Sequence, residues 1–227
     1  MSTGDLEIRD LGRLGYTESL EIQRALRLQR IAGTLGHDVL LLVEHEPVYT
    51  LGRGTNPGSL PIHADELRRR GADVVEVERG GDVTWHGPGQ LVGYPIVHLS
   101  GHREDLHWYL RSLEQVLISA LAVLGITAAT AAGKTGVWVG DRKIASIGIH
   151  VKQWVTLHGF ALNVSPDLSW FDHIVPCGLT GVVMTSVEVE RGGGDPVALR
   201  ASARKAVVAA FTDAFALDQA AAAKPLR

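Results

Sequence analysis

Leucines recur at spacings of three and four from Leu106 through Leu110, Leu113, Leu117, Leu121 and Leu124. This period predicts an amphipathic helix opened by Asp105 as N-cap and stopped at Gly125. A later helix is predicted from Asp195-Pro196, a cap followed by proline at the first helical position, with Leu199, Ala203, Val207, Ala210, Phe211 and Phe215 on one side. An earlier one is predicted after Thr17 as N-cap, with Glu18 in its first turn and Leu20, Leu28 and Ile31 as its apolar face. Between these helices the pattern changes to alternation or to short continuous apolar runs. "VLLLVEH", "DVVEVE", "LVGYPIV", "WVTLHGFALNV" and "VMTSVEVE" read as strands, and "GVWVGDRKIASIGIHV" reads as two strands joined at Gly140-Asp141. Strands linked by such short turns run antiparallel, so the chain is expected to form one α+β domain over residues 1–227, with the alanine-rich tail 219–227 flexible.

Composition narrows the partners. Hydrophobic residues make up 45% of the 227 residues, enough for one substantial core. A formal charge of −3 argues against a general nucleic-acid footprint, and the Arg68-Arg69-Arg70 run reads as a solvated face. "MSTGDLEIRD" lacks the basic-then-apolar order of a signal peptide, and "VLLLV" is too short to span a bilayer, so a soluble cytoplasmic protein with no membrane partner is expected. The single cysteine, Cys177, excludes an internal disulfide and a thiolate zinc site. No metal and no cofactor is expected.

The candidate chemistry gathers in glycine-rich stretches. "ERGGDVTWHGPGQLVGYP", "GDRKIASIGIHV" and "HGFALNVSPDLSWFDHIVPCG" each place glycines beside His, Lys or Cys, which suggests one pocket where a ligand lies close to backbone. Cys177 stands between Pro176 and Gly178, and reads either as a small buried hydrophobe or as a thiol presented on a defined turn. A reactive thiol needs a cation or base nearby. Lys143, opening "KIASIGIHV", is either that cation or a solvated strand-end charge; His86 in "TWHGPGQ" either faces substrate or bonds nearby backbone. His150 and His158 are expected to pack against the sheet. "AATAAGKT" has Ala128 where a phosphate-binding loop needs its first glycine, and no G-x-S-x-G elbow is present. A nucleoside triphosphatase is therefore rejected, and a serine hydrolase is poorly supported.

The segments "LLLVEHEPVYTLGRG", "RGGDVTWHGPGQLVGYP", "KIASIGIHV", "TLHGFALNV" and "IVPCGLTGVVMTSV", in this order, closely resemble the octanoyl-[acyl carrier protein]:protein N-octanoyltransferases of lipoate biosynthesis. The resemblance runs from about Leu40 to Glu190. It implies a mixed, largely antiparallel sheet packed with helices, like the catalytic domain of biotin and lipoate protein ligases. It also implies transfer of an octanoyl group from octanoyl-acyl carrier protein to a lysine of lipoyl domains, those of 2-oxoacid dehydrogenase and glycine cleavage proteins. By the same resemblance Cys177 forms an acyl-thioester and Lys143 lowers its pKa. Substrate contacts fall on Arg79, Gly80, Gly81, Asp82, Val83, Thr84, Trp85 and His86, on Ser146, Ile147 and Gly148, and on Gly159, Phe160 and Ala161. Trp85 departs from the family, which often has tyrosine before the motif histidine.

Overall fold

A computed structural model describes residues 6–56, 58–175 and 182–222, with side chains described to Phe215 in the last helix. In chain order the elements are β1 (Leu6–Leu14), α1 (Tyr16–Ile31), β2 (Asp38–His45), β3 (Val48–Leu51), α2 (Ala64–Arg69), β4 (Asp73–Glu76), β5 (Thr84–His86) and β6 (Gln90–Ile96). They continue with α3 (Leu106–Val123), β7 (Ala129–Ala131), β8 (Lys134–Val139), β9 (Arg142–Lys152), β10 (Val155–Asn163), β11 (Val183–Met184), α4 (Val187–Glu190) and α5 (Pro196–Ala222).

Eight strands form the main sheet in the order β1-β2-β6-β10-β9-β8-β7, with β11 added alongside β9; β4-β3-β5 form a second, three-stranded sheet. The sheet is mixed but largely antiparallel. Only β1 with β2 and β11 with β9 run parallel in it. Helices α3 and α5 cover one face, burying Leu113, Leu117, Leu121, Val207, Phe211 and Phe215 with Leu40, Phe160 and Leu162. Helix α1 covers the other, over Leu41, Val92, Ile96, Leu157 and Ala161. A third apolar cluster, around Tyr49, Leu67, Val83, Trp85 and Phe171, fills the space beneath the small sheet. No helix among the described residues is long and apolar enough to cross a membrane.

The expected elements form with three corrections. Asp105 caps α3 as its carboxylate accepts from the backbone N–H of His107 and Trp108 at 2.9 and 3.0 Å. The cap of α1 is Gly15, not Thr17, and Leu28 is 64% exposed. Its buried face is Tyr16, Ser19, Leu20, Gln23 and Leu26, a stripe that two polar residues hide from a reading of hydrophobicity. "VMTSVEVE" is strand for only two residues: the Ser186 hydroxyl accepts from Val189 N–H at 3.2 Å and starts α4, where capping outweighs the β-propensity of the valines. Strands β1 and β3 and helix α2 lack a strong period and were not expected. The arginines that end α2 pair with Asp65 and Glu66 on an exposed face. Helix α5 continues to Ala222, and residues 223–227 lie outside the described residues.

Proline interrupts the centre of the sheet. Pro95 in β6 has no N–H to give β10, and the Thr156 hydroxyl takes over locally, donating to Pro95 O at 2.7 Å and accepting from Val97 N–H at 2.8 Å. Because Leu117 of α3 is fully buried in the core shared with α5, Leu117→Ala should destabilise the protein by about 2–5 kcal/mol. A urea titration reads this as a lowered midpoint at unchanged slope.

Candidate active site

The cleft is made by two backbones drawn together. The loop after β4 crosses the end of β9, where Gly80 N–H donates to Ile149 O at 2.9 Å. A Cβ on Gly148 would lie 3.0 Å from Arg79 Cδ and 3.1 Å from Gly80 O, tighter than an ordinary contact, so a side chain there would press on the loop. Arg79 shapes this loop from inside: its Nη1 donates to Asp82 O at 2.7 Å, and its Nη2 donates to Thr50 O at 2.6 Å and Thr50 Oγ1 at 2.9 Å. The Asp82 carboxylate holds the next turn, accepting from Val83 N–H and from the Ser59 hydroxyl, both at 2.6 Å.

The cleft opens to solvent, and its empty space counted out through that mouth is about 620 Å³. Arg79 to Thr84, His86, Lys143, Ser146 to Gly148, and Gly159 to Ala161 all line it. Trp85 does not. Along β5 the side chains alternate, so Thr84 and His86 face the cleft while Trp85 turns into the core, 5.8 Å from Trp170 in a stacked pair and edge-on to Phe171 at 5.5 Å. Residues not anticipated as lining are Tyr16, Val92, Tyr94, His158, Phe171 and Met184.

Lys143 sits 3% exposed at a junction. It also lines a second, wider opening with Asn56, Lys134, Trp138 and Val182. Its ammonium lies 5.6 Å from the centre of the Trp138 ring. Room for its stem comes from Gly136, at φ +120°, where a Cβ would stand 2.8 Å from Lys143 Cε. Glu114, buried in α3, fixes that glycine by accepting from Gly136 N–H at 3.0 Å. On the other edge of β9, Met184 pairs with Lys143 and Thr185 N–H donates to Lys143 O at 2.9 Å.

Cys177 lies outside the described residues. The chain reaches that segment at Val175, whose N–H donates to Ser59 O at 2.9 Å, and leaves it at Val182, on the opening shared with Lys143.

Part of the cleft wall is built of rings. His158, expected to pack against the sheet, lines the cleft instead. The pleat of β10 sends Leu157 and Ala161 toward α1 and Phe160 and Leu162 toward α3. His158 would follow Phe160, but its φ of +60° turns the side chain to the α1 side, 3.4 Å from the Tyr16 hydroxyl. The His45 Nδ1–H donates to Leu14 O at 2.9 Å, so its Nε2 accepts from the Tyr94 hydroxyl at 2.7 Å. Burial lowers His45 to about 4, against the pull of its bond to Leu14. Burial also lowers His158 to about 3, with Glu78 opposing. His86 is held well below the usual histidine range by burial, then by His45 and Arg79. This wall is neutral at pH 7.

The comparisons with known proteins agree with this geometry. Residues 15–216 match the family described as the lipoyl protein ligase A/B catalytic domain. A lipoate-protein ligase A bound with ATP shares the fold at TM-score 0.71 and 14% identity, over 94% of this chain and 86% of that one. A biotin protein ligase from Leishmania major in complex with biotin does so at TM-score 0.53 and 16% identity, over 91% and 73%. The chain belongs to the lipoyl protein ligase A/B catalytic domain family. Within it, this chain is 53% identical to an octanoyltransferase of Gloeobacter violaceus over 78% of each chain, and 50% identical to one of Geobacter sulfurreducens over 91% of this chain and 83% of that one. It stands among the octanoyltransferases, which makes it an acyltransferase.

The neutral ring wall sets an acid limit on stability. Histidines whose folded pKa is lowered bind protons more readily when unfolded, so stability is full above the ordinary histidine pKa near 6.5 and is lost as pH falls from there toward 4. Urea midpoints measured between pH 7.5 and 4.5 should fall steadily; a flat profile contradicts neutral His45 and His158.

Proposed function

We propose that this enzyme moves an octanoyl group from an acyl carrier protein thioester to a lysine amine of a lipoyl domain, through an acyl-thioester on Cys177. The observation that carries the reading is Lys143, buried where two arms of the cleft meet and bonded through β11 to the segment that follows Cys177. A covalent transfer between two carriers needs one reacting centre reached by two chains in turn. The arm walled by Val92, Phe160 and Phe171 suits the acyl chain, and the wider opening at Trp138 suits the entering and leaving carrier arms.

The atoms balance with no further reactant. Cys177, as thiolate beside the Lys143 ammonium, attacks the thioester carbon; a new C–S bond forms and the carrier's C–S bond breaks. Lys143 gives its proton to the departing carrier sulfur and is left as the amine. The neutral lysine amine of the acceptor then attacks the acyl-enzyme, its surplus proton passes to Lys143, and Cys177 leaves as thiolate. Backbone N–H groups near Gly148 are suited to the oxyanion. The donor is already a thioester, so the sequence consumes no ATP. On this reading Arg79 and Asp82 serve the substrate by holding the loop that covers it, and Trp85 by filling the core beneath His86.

Incubation with octanoyl-acyl carrier protein in the absence of ATP should add one octanoyl mass to the protein. Cys177→Ala should remove the adduct and the transfer while the fold remains; turnover at an unchanged rate would reject the covalent route. Lys143→Met should slow acylation by about a hundredfold or more, the range usual for a lost acid–base group, and a normal rate would remove Lys143 from the chemistry.

A further inference from the structure

A line of buried amides connects His86 to the strand beside Lys143. Thr185 gives its N–H to Lys143 O, and its own carbonyl accepts from Asn163 Nδ2 at 2.9 Å. Asn163 then offers Oδ1, which accepts from Gln90 Nε2 at 3.0 Å. The other hydrogen of Gln90 Nε2 goes to Trp85 O at 3.2 Å. Both ends of this chain are backbone carbonyls, which only accept. Turning either amide over would set oxygen against oxygen, so the direction of every link is fixed. Gln90 therefore presents Oε1 to His86, 3.1 Å from Nδ1. An acceptor there requires the proton on Nδ1 and leaves Nε2 with a lone pair.

The ring has little freedom to escape this assignment. His86 is 7% exposed, stacked on Tyr16 at 6.0 Å and 10°, and edge-on to His45 at 5.9 Å. Among the described residues no hydrogen bond reaches Nε2, although the residue lines the cleft. A bare acceptor has no use for the reacting end of the acyl donor, since a thioester has no N–H or O–H to give. An amine does have one.

We propose that Gln90 and Asn163 are positioning residues that hold His86 as its Nδ1–H form, and that His86 Nε2 accepts a hydrogen bond from the incoming lysine amine and aims its lone pair at the acyl carbon. The amine's part rests on the proposed acyl transfer; the tautomer does not. No proton moves to His86, and the amine's surplus proton still goes to Lys143.

Nitrogen NMR of ¹⁵N-histidine-labelled protein at neutral pH tests the tautomer directly. The expected spectrum shows Nδ1 as the N–H nitrogen of His86 and Nε2 as the unprotonated one; the reverse assignment overturns the proposal. Gln90→Leu, which removes the acceptor, should lose this preference. Single-turnover measurements separate the two half-reactions. Gln90→Leu and His86→Phe should each slow transfer from the octanoyl-enzyme to a lipoyl domain by about tenfold or more beyond any slowing of acylation by octanoyl-acyl carrier protein. Equal slowing of both steps, or slowing of neither, overturns the amine's part, and His86→Phe keeps that test open should the Gln90 variant fold poorly. A wild-type protein that forms no octanoyl adduct would defeat the acyl-transfer reading and the amine's role with it, while the spectrum would still decide the tautomer.

Discussion

The site depends on one close approach between backbones, that of Gly80 to Gly148 and Ile149. An N–H to carbonyl bond from Gly80 to Ile149 ties the loop after β4 to the end of β9, and the bare Cα of Gly148 lets Arg79 and Gly80 come close beside it. Two sides of the cleft meet at this crossing. The loop brings Thr84 and His86 over the sheet, β9 brings Ser146 and Lys143 beneath them, and Arg79 locks the arrangement by giving its hydrogens to Thr50 and Asp82. The guanidinium matches those carbonyls in a planar fork, which a lysine does not reproduce.

Around this crossing the protein buries many polar groups in a sheet whose faces are otherwise apolar. Buried polar groups are costly unless each is bonded, and here the bonds form continuous chains. One runs from His86 through Gln90 and Asn163 to Thr185; another joins Tyr94, His45 and the end of β1. Imidazoles kept neutral by burial suit such a wall, since charged ones would repel each other and the neighbouring Arg79. The result is a wall with fixed donors and acceptors that carries no net charge of its own.

Much of this was legible in the sequence where one periodicity or one motif dominated. The leucine stripe of α3, the hairpin at Gly140-Asp141 and the glycine pairs all state their roles locally, and the glycine-rich segments do converge on one cleft. What stayed hidden depends on partners distant in the chain. Tyr16 and Gln23 are buried on α1 because they meet β10, so the helix shows no clean apolar face. Strand β1 pairs in parallel with β2 and has no hairpin to announce it. Trp85 could have been placed away from the cleft by the alternation of β5 alone, whereas the turned side chain of His158 follows from a backbone conformation that sequence does not display.

That left-handed histidine has a consequence for the architecture of the N-terminal half. Turning His158 over takes its N–H out of the strand's ordinary bonding, and the orphan is taken by Gln23 Oε1 of α1 at 3.1 Å. Helix α1 is thus more than a lid on the apolar face: it supplies the acceptor that a central strand lacks. A chain shortened past Gln23 would leave an unanswered amide in the middle of its own sheet, so the first helix and the innermost strand must fold as one unit.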